Sequence, residues 1–165
     1  MNAPFQPLYT NDVSPEYLRS LDVSNFTEQQ IAQFSEQART VVREQRAFID
    51  AHPATAIYRC ATEGSQTRMG GVIQRGTVPY EIALENGRSV RIAYKGDDVL
   101  YADGCVAQIV TGAGRASSDV ALVGSLISNG DEIINTPQSS CVFVLREGLP
   151  MAEDFLPSIK EEEIR

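Results

Sequence analysis

An internal repeat constrains the fold of this 165-residue chain more than any other feature of its sequence. When the sequence is aligned with itself at a spacing of 36 residues, three similar segments that each end in glycine coincide: residues 69–76, 105–112 and 141–148. Each copy has the pattern of a strand, a turn and a second strand. Three such copies predict a compact body with approximate threefold symmetry, in which each copy buries its apolar face against the other two.

The repeat divides the chain into three parts. Residues 1–55 precede it and are predicted to form a helical N-terminal extension. Residues 56–150 are predicted to form the β-repeat body, and residues 151–165 an acidic C-terminal tail. The expected fold is therefore mainly β with a helical extension at the N-terminus.

The extension carries two helix signals. Ser14 followed by Pro15 is typical of the start of a short helix, because serine caps the first turn and proline suits it. A capping box at Thr27 opens a pattern of apolar residues on one helical face, which predicts one continuous helix over residues 28–51. Three partners for this apolar stripe remain open: the repeat body of the same chain, a second copy of the chain, or a cargo or adaptor protein.

The sequence of the repeat body indicates short strands and tight turns. Its glycines lie between Gly64 and Gly148, interleaved with apolar runs at residues 71–73, 89–94 and 141–145. Asn-Gly dipeptides at residues 86–87 and 129–130 are strong turn signals, and the first has the setting of a β-hairpin.

The charge pattern excludes several classes of function. The chain carries 14 Lys and Arg against 22 Asp and Glu, a formal net charge of −8, and it has no basic run, which argues against a nucleic-acid partner. No apolar stretch approaches the roughly 20 residues that a membrane span requires. The first residues lack the pattern of a signal peptide, so we expect cytoplasmic synthesis.

Sulfur-bearing residues open the three aligned copies. They are Met69, Cys105 and Cys141, and on a threefold axis they would converge. Two interpretations remain open. Methionine and free cysteine are common core residues. The alternative is a bound thiophilic metal, such as zinc, an iron–sulfur cluster or Cu(I), although this set lacks the fourth ligand of a zinc tetrahedron.

Candidates for catalysis have simpler structural explanations, and no catalytic residue is predicted. His52 is the single histidine and ends the long predicted helix, where an imidazolium suits the negative end of the helix dipole. Cys60 aligns with glycines of the other copies and is interpreted as a structural substitution. Asp97 and Asp131 each follow a glycine and are interpreted as turn formers. The chain is therefore expected not to be an enzyme.

Several of these segments together resemble the PAAR-repeat proteins. The resemblance covers residues 56–156, and the segments that carry it are 61–65, 69–73, 86–90, 96–97, 122–125 and 129–138. It implies a small cone of short β-strands with pseudo-threefold symmetry. It also implies a zinc site near the apex with three His and one Cys, yet the repeat region contains no His and offers Met69, Cys105 and Cys141 instead. The Pro-Ala-Ala-Arg motif is replaced by residues 56–59.

The resemblance implies a function without covalent chemistry. Members of the family cap and sharpen a trimeric VgrG-type spike of a type VI secretion system or a related contractile tail, and they link effectors to it. We therefore expect a monomeric spike-tip protein, exported at the tip of the needle, that meets membranes only by puncturing them. An effector or adaptor would bind the N-terminal helices. The alternatives are a small secreted effector that uses the cone for delivery, or a sulfur-ligated metal-binding module.

Overall fold

The computed structural model describes residues 6–157, which divide into two compact units. The first unit contains residues 6–11, 58–143 and 151–157, and the second contains residues 12–57 and 144–150. Among the described residues, no helix is long and apolar enough to cross a membrane. The division differs from the predicted one because the residues before the first helix and those after residue 150 join the β-rich unit. The predicted tail beyond residue 157 lies outside the described residues.

Three helices lie in the second unit: α1 (Pro15–Ser20), α2 (Glu28–Ala32) and α3 (Glu36–Ala51). The helix start at Ser14 is confirmed, since the Ser14 hydroxyl accepts a hydrogen bond from the Tyr17 N–H. The capping box at Thr27 is confirmed as well. The prediction of one continuous helix over 28–51 is wrong, because α2 ends at Ala32 and Ser35 caps a new helix by accepting the Ala38 N–H.

The strands are short and form one three-stranded and two two-stranded sheets. One sheet pairs β1 with β7, a second has the order β2-β5-β6, and a third pairs β3 with β4. The strands are β1 (Ala54–Arg59), β2 (Val72–Ile73), β3 (Glu81–Ala83), β4 (Ser89–Arg91), β5 (Asp98–Leu100), β6 (Val106–Gln108) and β7 (Val142–Arg146). The chain is thus a small α/β protein with several small sheets. The hairpin predicted at Asn86-Gly87 is confirmed, because this turn joins β3 to β4.

Three hairpins in the first unit share one hydrogen-bond pattern. We define them as hairpin 1 (residues 65–73), hairpin 2 (97–109) and hairpin 3 (125–133). Each is entered through a glycine with positive φ whose N–H bonds to the carbonyl of the last isoleucine of the hairpin. These bonds run from Gly64 to Ile73 (2.9 Å), Gly96 to Ile109 (2.8 Å) and Gly124 to Ile133 (2.8 Å).

The three hairpins are linked in a closed cycle. Ala93 N–H donates to the Ala61 carbonyl (2.9 Å), Ala121 N–H to Ala93 (3.0 Å), and Ala61 N–H to Ala121 (2.8 Å), so the three alanines form a hydrogen-bonded ring. The second strand of each hairpin also pairs with the first strand of the next. The pairs are Ile73 with Val99, Ile109 with Ile127, and Ile133 with Thr67. This cyclic pairing leaves no free edge between consecutive hairpins.

The apolar core of the first unit lies inside this cycle. The three ring alanines are fully buried, which explains why no larger residue stands at these positions. The surrounding core residues are Ile73, Val99, Ala107, Ile109, Val123, Ile127 and Ile133. Equivalent positions of the three hairpins therefore supply the same layer of β-branched side chains.

The structure corrects the register of the repeat. Gly64 to Gly96 is 32 residues and Gly96 to Gly124 is 28, because the segment that joins hairpins 1 and 2 (74–96) is eight residues longer than the one that joins hairpins 2 and 3 (110–124), while hairpin 2 is itself four residues longer than the other two. The spacing of 36 holds only between the second strands of hairpins 1 and 2. The third copy ends near residue 133, so Cys141 lies outside the three hairpins.

The segment before the helices also belongs to the first unit. Tyr9 pairs with Thr136 through two backbone hydrogen bonds of 2.8 and 3.0 Å. The side chain of Asn11 accepts the Arg59 N–H and donates to the Val123 carbonyl, both at 2.8 Å. The guanidinium of buried Arg59 lies over the Tyr9 ring. These bonds hold residues 6–11 against the hairpins.

Candidate functional site

The turns of the three hairpins form one end of the cyclic arrangement. They are residues 67–71, 101–105 and 127–131, and each has a glycine with φ between 86° and 89° as its fourth residue. In each turn, the first N–H bonds to the last carbonyl: Thr67 to Gly71, Tyr101 to Cys105, and Ile127 to Asp131. We call this the turn end. The turn predicted at Asn129-Gly130 is confirmed as the turn of hairpin 3.

A buried carboxylate joins the three turns. Asp131, in hairpin 3, is only 2 % exposed. One of its oxygens accepts the Met69 N–H of hairpin 1 at 3.1 Å, and the other accepts the Tyr101 hydroxyl of hairpin 2 at 2.7 Å. Its role is therefore more than that of the predicted turn former, because it connects all three hairpins.

The charge of Asp131 is stabilised by these donors. Burial acts to raise the pKa of Asp131, but hydrogen bonds from Thr67, Tyr101 and two backbone N–H groups outweigh burial and lower the pKa below its ordinary value. The pKa of Tyr101 is raised, first by burial and then by its hydrogen bond to the carboxylate. At neutral pH the pair is a carboxylate accepting from a neutral phenol, which is a strong charge-assisted hydrogen bond.

Two of the three predicted sulfur positions meet at the turn end. Met69 and Cys105 line one open cavity of about 380 Å³ together with Asp103 and Asn129. Cys105 is exposed, and the hydrogen bond to the Asp103 carboxylate raises the pKa of its thiol. A protonated thiol is a weaker metal ligand than a thiolate.

The third predicted position, Cys141, does not line this cavity. It precedes β7 and belongs instead to a second apolar cluster that contains Cys60 and Leu122. Cys60 was predicted to align with glycines of the other copies, and the structure places it differently. It directly precedes ring residue Ala61, just as Ile92 and Val120 precede the other two ring alanines. The alignment paired Cys105 with Cys141 because it applied one spacing of 36 throughout, whereas the second strands of hairpins 2 and 3, which end at Ile109 and Ile133, are only 24 residues apart.

The donors at the turn end do not match the three-His, one-Cys zinc set that the resemblance implies. His52, the single histidine, belongs to the second unit, where its Nδ1 lies 2.8 Å from the Glu147 carbonyl. It stands at the C-terminal end of α3, as predicted. Within residues 6–157, no group of three or more His, Cys, Asp or Glu side chains is arranged to hold a metal ion.

Asp97 acts as the predicted turn former. Its carboxylate accepts the Tyr94 N–H at 2.8 Å, and Ser65 and Ser125 make the same bond to Thr62 and Leu122 with their hydroxyls. Asp97 also accepts the N–H and the hydroxyl of Thr77. The second carboxylate oxygen of Asp97 thus binds the loop that contains Thr77 to hairpin 2. A serine hydroxyl at this position has no second oxygen for this bond.

Sequence reasoning missed two residues of the turn end, Thr67 and Tyr101. Both open a hairpin turn and donate a side-chain hydrogen bond to Asp131, and their sequence signal is a hydroxyl-bearing residue three positions before the turn glycine. Recognising that signal requires the hairpin register, because a slip of one residue reverses the face of each side chain.

The second unit presents apolar side chains on its long helix. No residue of α3 is buried, and Val41 and Phe48 are 52 % and 48 % exposed. A shallow cavity of about 480 Å³ lies beside Phe48 and Ile49. The predicted apolar stripe is therefore present and largely accessible in the described residues.

Comparisons of the chain with protein-family models, with curated proteins and with solved structures find no match. No family is therefore assigned, and the function is inferred from the geometry of the chain's own residues.

Proposed function

We propose that this protein is a non-enzymatic spike-tip protein that caps a trimeric VgrG-type spike of a type VI secretion or related contractile apparatus. In this proposal the first unit is a PAAR-like cone, the turn end is its tip, and the opposite end binds the spike. The helices of the second unit hold an effector or adaptor.

The observation that carries the proposal is the ring formed by Ala61, Ala93 and Ala121. It relates three segments of one chain cyclically, so a single chain presents three similar surfaces around one axis. A partner with true threefold symmetry can contact all three surfaces at once.

The mechanical demand on a tip also favours this arrangement. The hairpins close on one another, and Asp131 holds their turns together through two bonds to other hairpins. Force applied at the turn end would have to break these bonds and the cyclic strand pairs together. A cooperative network of this kind resists local opening better than separate hairpins do.

The stoichiometry of binding tests the proposal. The full chain is mixed with a trimeric VgrG-type spike from the same genome, and the mass of the complex is measured by native mass spectrometry. We expect one chain per trimer. Three chains per trimer, or no complex at micromolar concentrations, would contradict the proposal.

The exposed thiol at the turn end tests the orientation. A bulky maleimide attached to Cys105 lies at the proposed tip, and we expect the labelled protein to bind the spike as well as the unlabelled one. The Cys105→Ser protein treated with the same reagent is the matched control. Loss of binding only in the Cys105-labelled protein would show that the turn end faces the spike.

The helical unit is tested on the full chain by Val41→Ser with Phe48→Ser. Because both side chains are about half exposed, the fold should survive while an apolar docking surface is lost. We expect spike binding to persist and export of the cargo to fall. Arg39→Ser on the same helix is the control, and unchanged export in the double variant would exclude this surface as the cargo site.

A further inference from the structure

Two of the three cysteines lie side by side in the first unit. The Cys60 N–H donates a hydrogen bond of 3.1 Å to the Cys141 carbonyl, where the end of β1 meets the start of β7. The two side chains also pack in one apolar cluster, and their thiols interact through a hydrogen bond. A disulfide needs side chains that meet in this way, on Cα atoms about 4.4–6.8 Å apart.

A buried glutamine fixes the two cysteines relative to each other. Gln138 is 2 % exposed, and its amide nitrogen donates to the carbonyls of Cys60 (2.8 Å) and Cys141 (3.1 Å). Its amide oxygen accepts the Cys141 N–H at 2.8 Å. Three hydrogen bonds from one side chain hold both backbones, so the thiols are kept together without a covalent link.

The two thiols differ in access. Cys60 is 1 % exposed and packs with Leu122, whereas Cys141 is partly exposed. A reagent from solution therefore reaches Cys141 first, and Cys60 can react only with a group already attached to Cys141.

We propose that Cys60 and Cys141 form a thiol–disulfide site that closes to an intramolecular disulfide when the protein meets a small-molecule disulfide such as oxidised glutathione. The Cys141 thiolate attacks one sulfur of the glutathione disulfide, and a glutathione thiolate leaves and takes up a proton. Cys60 then loses its proton and attacks the Cys141 sulfur, which releases the second glutathione. The two protein thiols are oxidised, and one glutathione disulfide is reduced to two thiols.

The electrostatics of the pair fit this order of events. The Cys60 thiol donates a hydrogen bond to the Cys141 sulfur, which lowers the pKa of Cys141 to about 7, although burial opposes the change. The same hydrogen bond, together with burial, raises the pKa of Cys60. An attacking thiol works best when its pKa is near the ambient pH, which identifies Cys141 as the first nucleophile.

The disulfide would enclose all three hairpins in one covalent loop, because they lie between residues 60 and 141. A cross-link across a long loop restricts the unfolded chain more than the folded one. The site is independent of the proposed spike function, and it would respond to passage from a reducing to an oxidising compartment.

The test uses the full-length Cys105→Ser protein, so that the exposed third thiol does not compete. The folded protein is treated with oxidised glutathione, and its intact mass and disulfide-linked peptides are measured. We expect a loss of two hydrogens and a peptide that joins residues 60 and 141. The oxidised protein should melt about 5–10 °C above the reduced protein.

Two further variants separate the steps. With Cys60→Ser added, Cys141 should keep a stable glutathione adduct, and with Cys141→Ser added, Cys60 should stay reduced while the protein is folded. The proposal is overturned if glutathione remains on Cys141 when Cys60 is present, or if both thiols stay reduced. A cross-link that appears only in urea would overturn it too, since it would not arise from the folded geometry.

Discussion

The Tyr101 hydroxyl donates a 2.7 Å hydrogen bond to the buried Asp131 carboxylate and so connects the turn of hairpin 2 to that of hairpin 3. Asp131 also accepts the Met69 N–H of hairpin 1, so one side chain joins three segments that are about 30 residues apart in sequence. Each partner of such a bond depends on the other, because a buried charge without a donor is costly.

Replacing Tyr101 by Phe removes this donor while keeping the ring. We expect the free energy of unfolding to fall by about 1–3 kcal/mol, because the buried carboxylate loses a charge-assisted hydrogen bond. Urea unfolding followed by circular dichroism measures the change. The control is Tyr80→Phe, whose side chain is 73 % exposed and which should change stability by less than about 0.5 kcal/mol. Equal effects of the two variants would show that the Tyr101 bond adds nothing.

The lowered pKa of Asp131 predicts a dependence of stability on pH. A carboxyl group whose pKa is lower in the folded than in the unfolded protein stabilises the fold above its unfolded pKa, and this contribution is lost as the pH falls through the folded pKa. The stability difference between the native protein and Asp131→Asn should therefore be constant from about pH 5 to 7 and shrink below about pH 4. Urea midpoints of both proteins across this range measure it. A difference that grows toward acid pH would contradict the lowered pKa.

The alanine ring predicts a strict size limit. Ala121→Val adds two methyl groups where the side chain is fully buried beside the other two ring alanines, and we expect a loss of about 1–3 kcal/mol from overpacking. Thermal melting and urea unfolding measure the loss. The same substitution at exposed Ala83 in β3 is the control and should be neutral, because valine suits a strand. If Ala121→Val left the free energy of unfolding unchanged, the space around the three ring alanines would be larger than their complete burial indicates.

An ion pair inside the second unit gives a fourth prediction. Asp22 accepts a 2.7 Å hydrogen bond from Arg146 and a 3.1 Å bond from the Ala54 N–H, and both charged side chains are about four-fifths buried. Burial acts to raise the pKa of Asp22, but the bonds to Arg146 and Ala54 lower it. We expect Asp22→Asn to increase amide hydrogen exchange at Ala54 and in α1, and to increase cleavage of residues 12–57 by trypsin.

The control for this variant is Asp50→Asn in α3. Asp50 pairs with Arg46 at 3.2 Å, but both side chains are about half exposed, and exposed pairs contribute little. Asp50→Asn should leave exchange and proteolysis unchanged. If the two variants behave alike, the Asp22–Arg146 pair does not hold the second unit together.

Local chemistry was predictable from the sequence wherever the determining residues are close together. The caps at Ser14 and Thr27, and the turns at Asn86-Gly87 and Asn129-Gly130, each depend on residues within about four positions. The break before α3 was missed for an equally local reason, because Ser35 caps a helix inside a pattern whose apolar periodicity continues across it.

The candidate site was predictable only in part. Met69 and Cys105 line one cavity because both lie in turns at the turn end, but they are not equivalent, since Met69 is the third residue of its turn and Cys105 the fifth. Cys141 was misplaced, because the sequence does not show that the segment between hairpins 2 and 3 is shorter than the one between hairpins 1 and 2, or that the cycle closes before residue 141. The pairing of Cys141 with Cys60 depends on a contact between residues that are 81 positions apart.

The sequence by itself indicated a threefold repeat of strand–turn–strand segments, of which it misplaced the third, together with the glycines that permit the turns and the helix caps at Ser14 and Thr27. Only the tertiary structure decided how the segments join: the ring through Ala61, Ala93 and Ala121, the carboxylate of Asp131 between three turns, and the two thiols held by Gln138. The physical reason is that local conformation follows from the steric and hydrogen-bonding preferences of neighbouring residues. Closure of a cycle depends instead on the simultaneous packing and pairing of distant segments, which no short stretch of sequence contains.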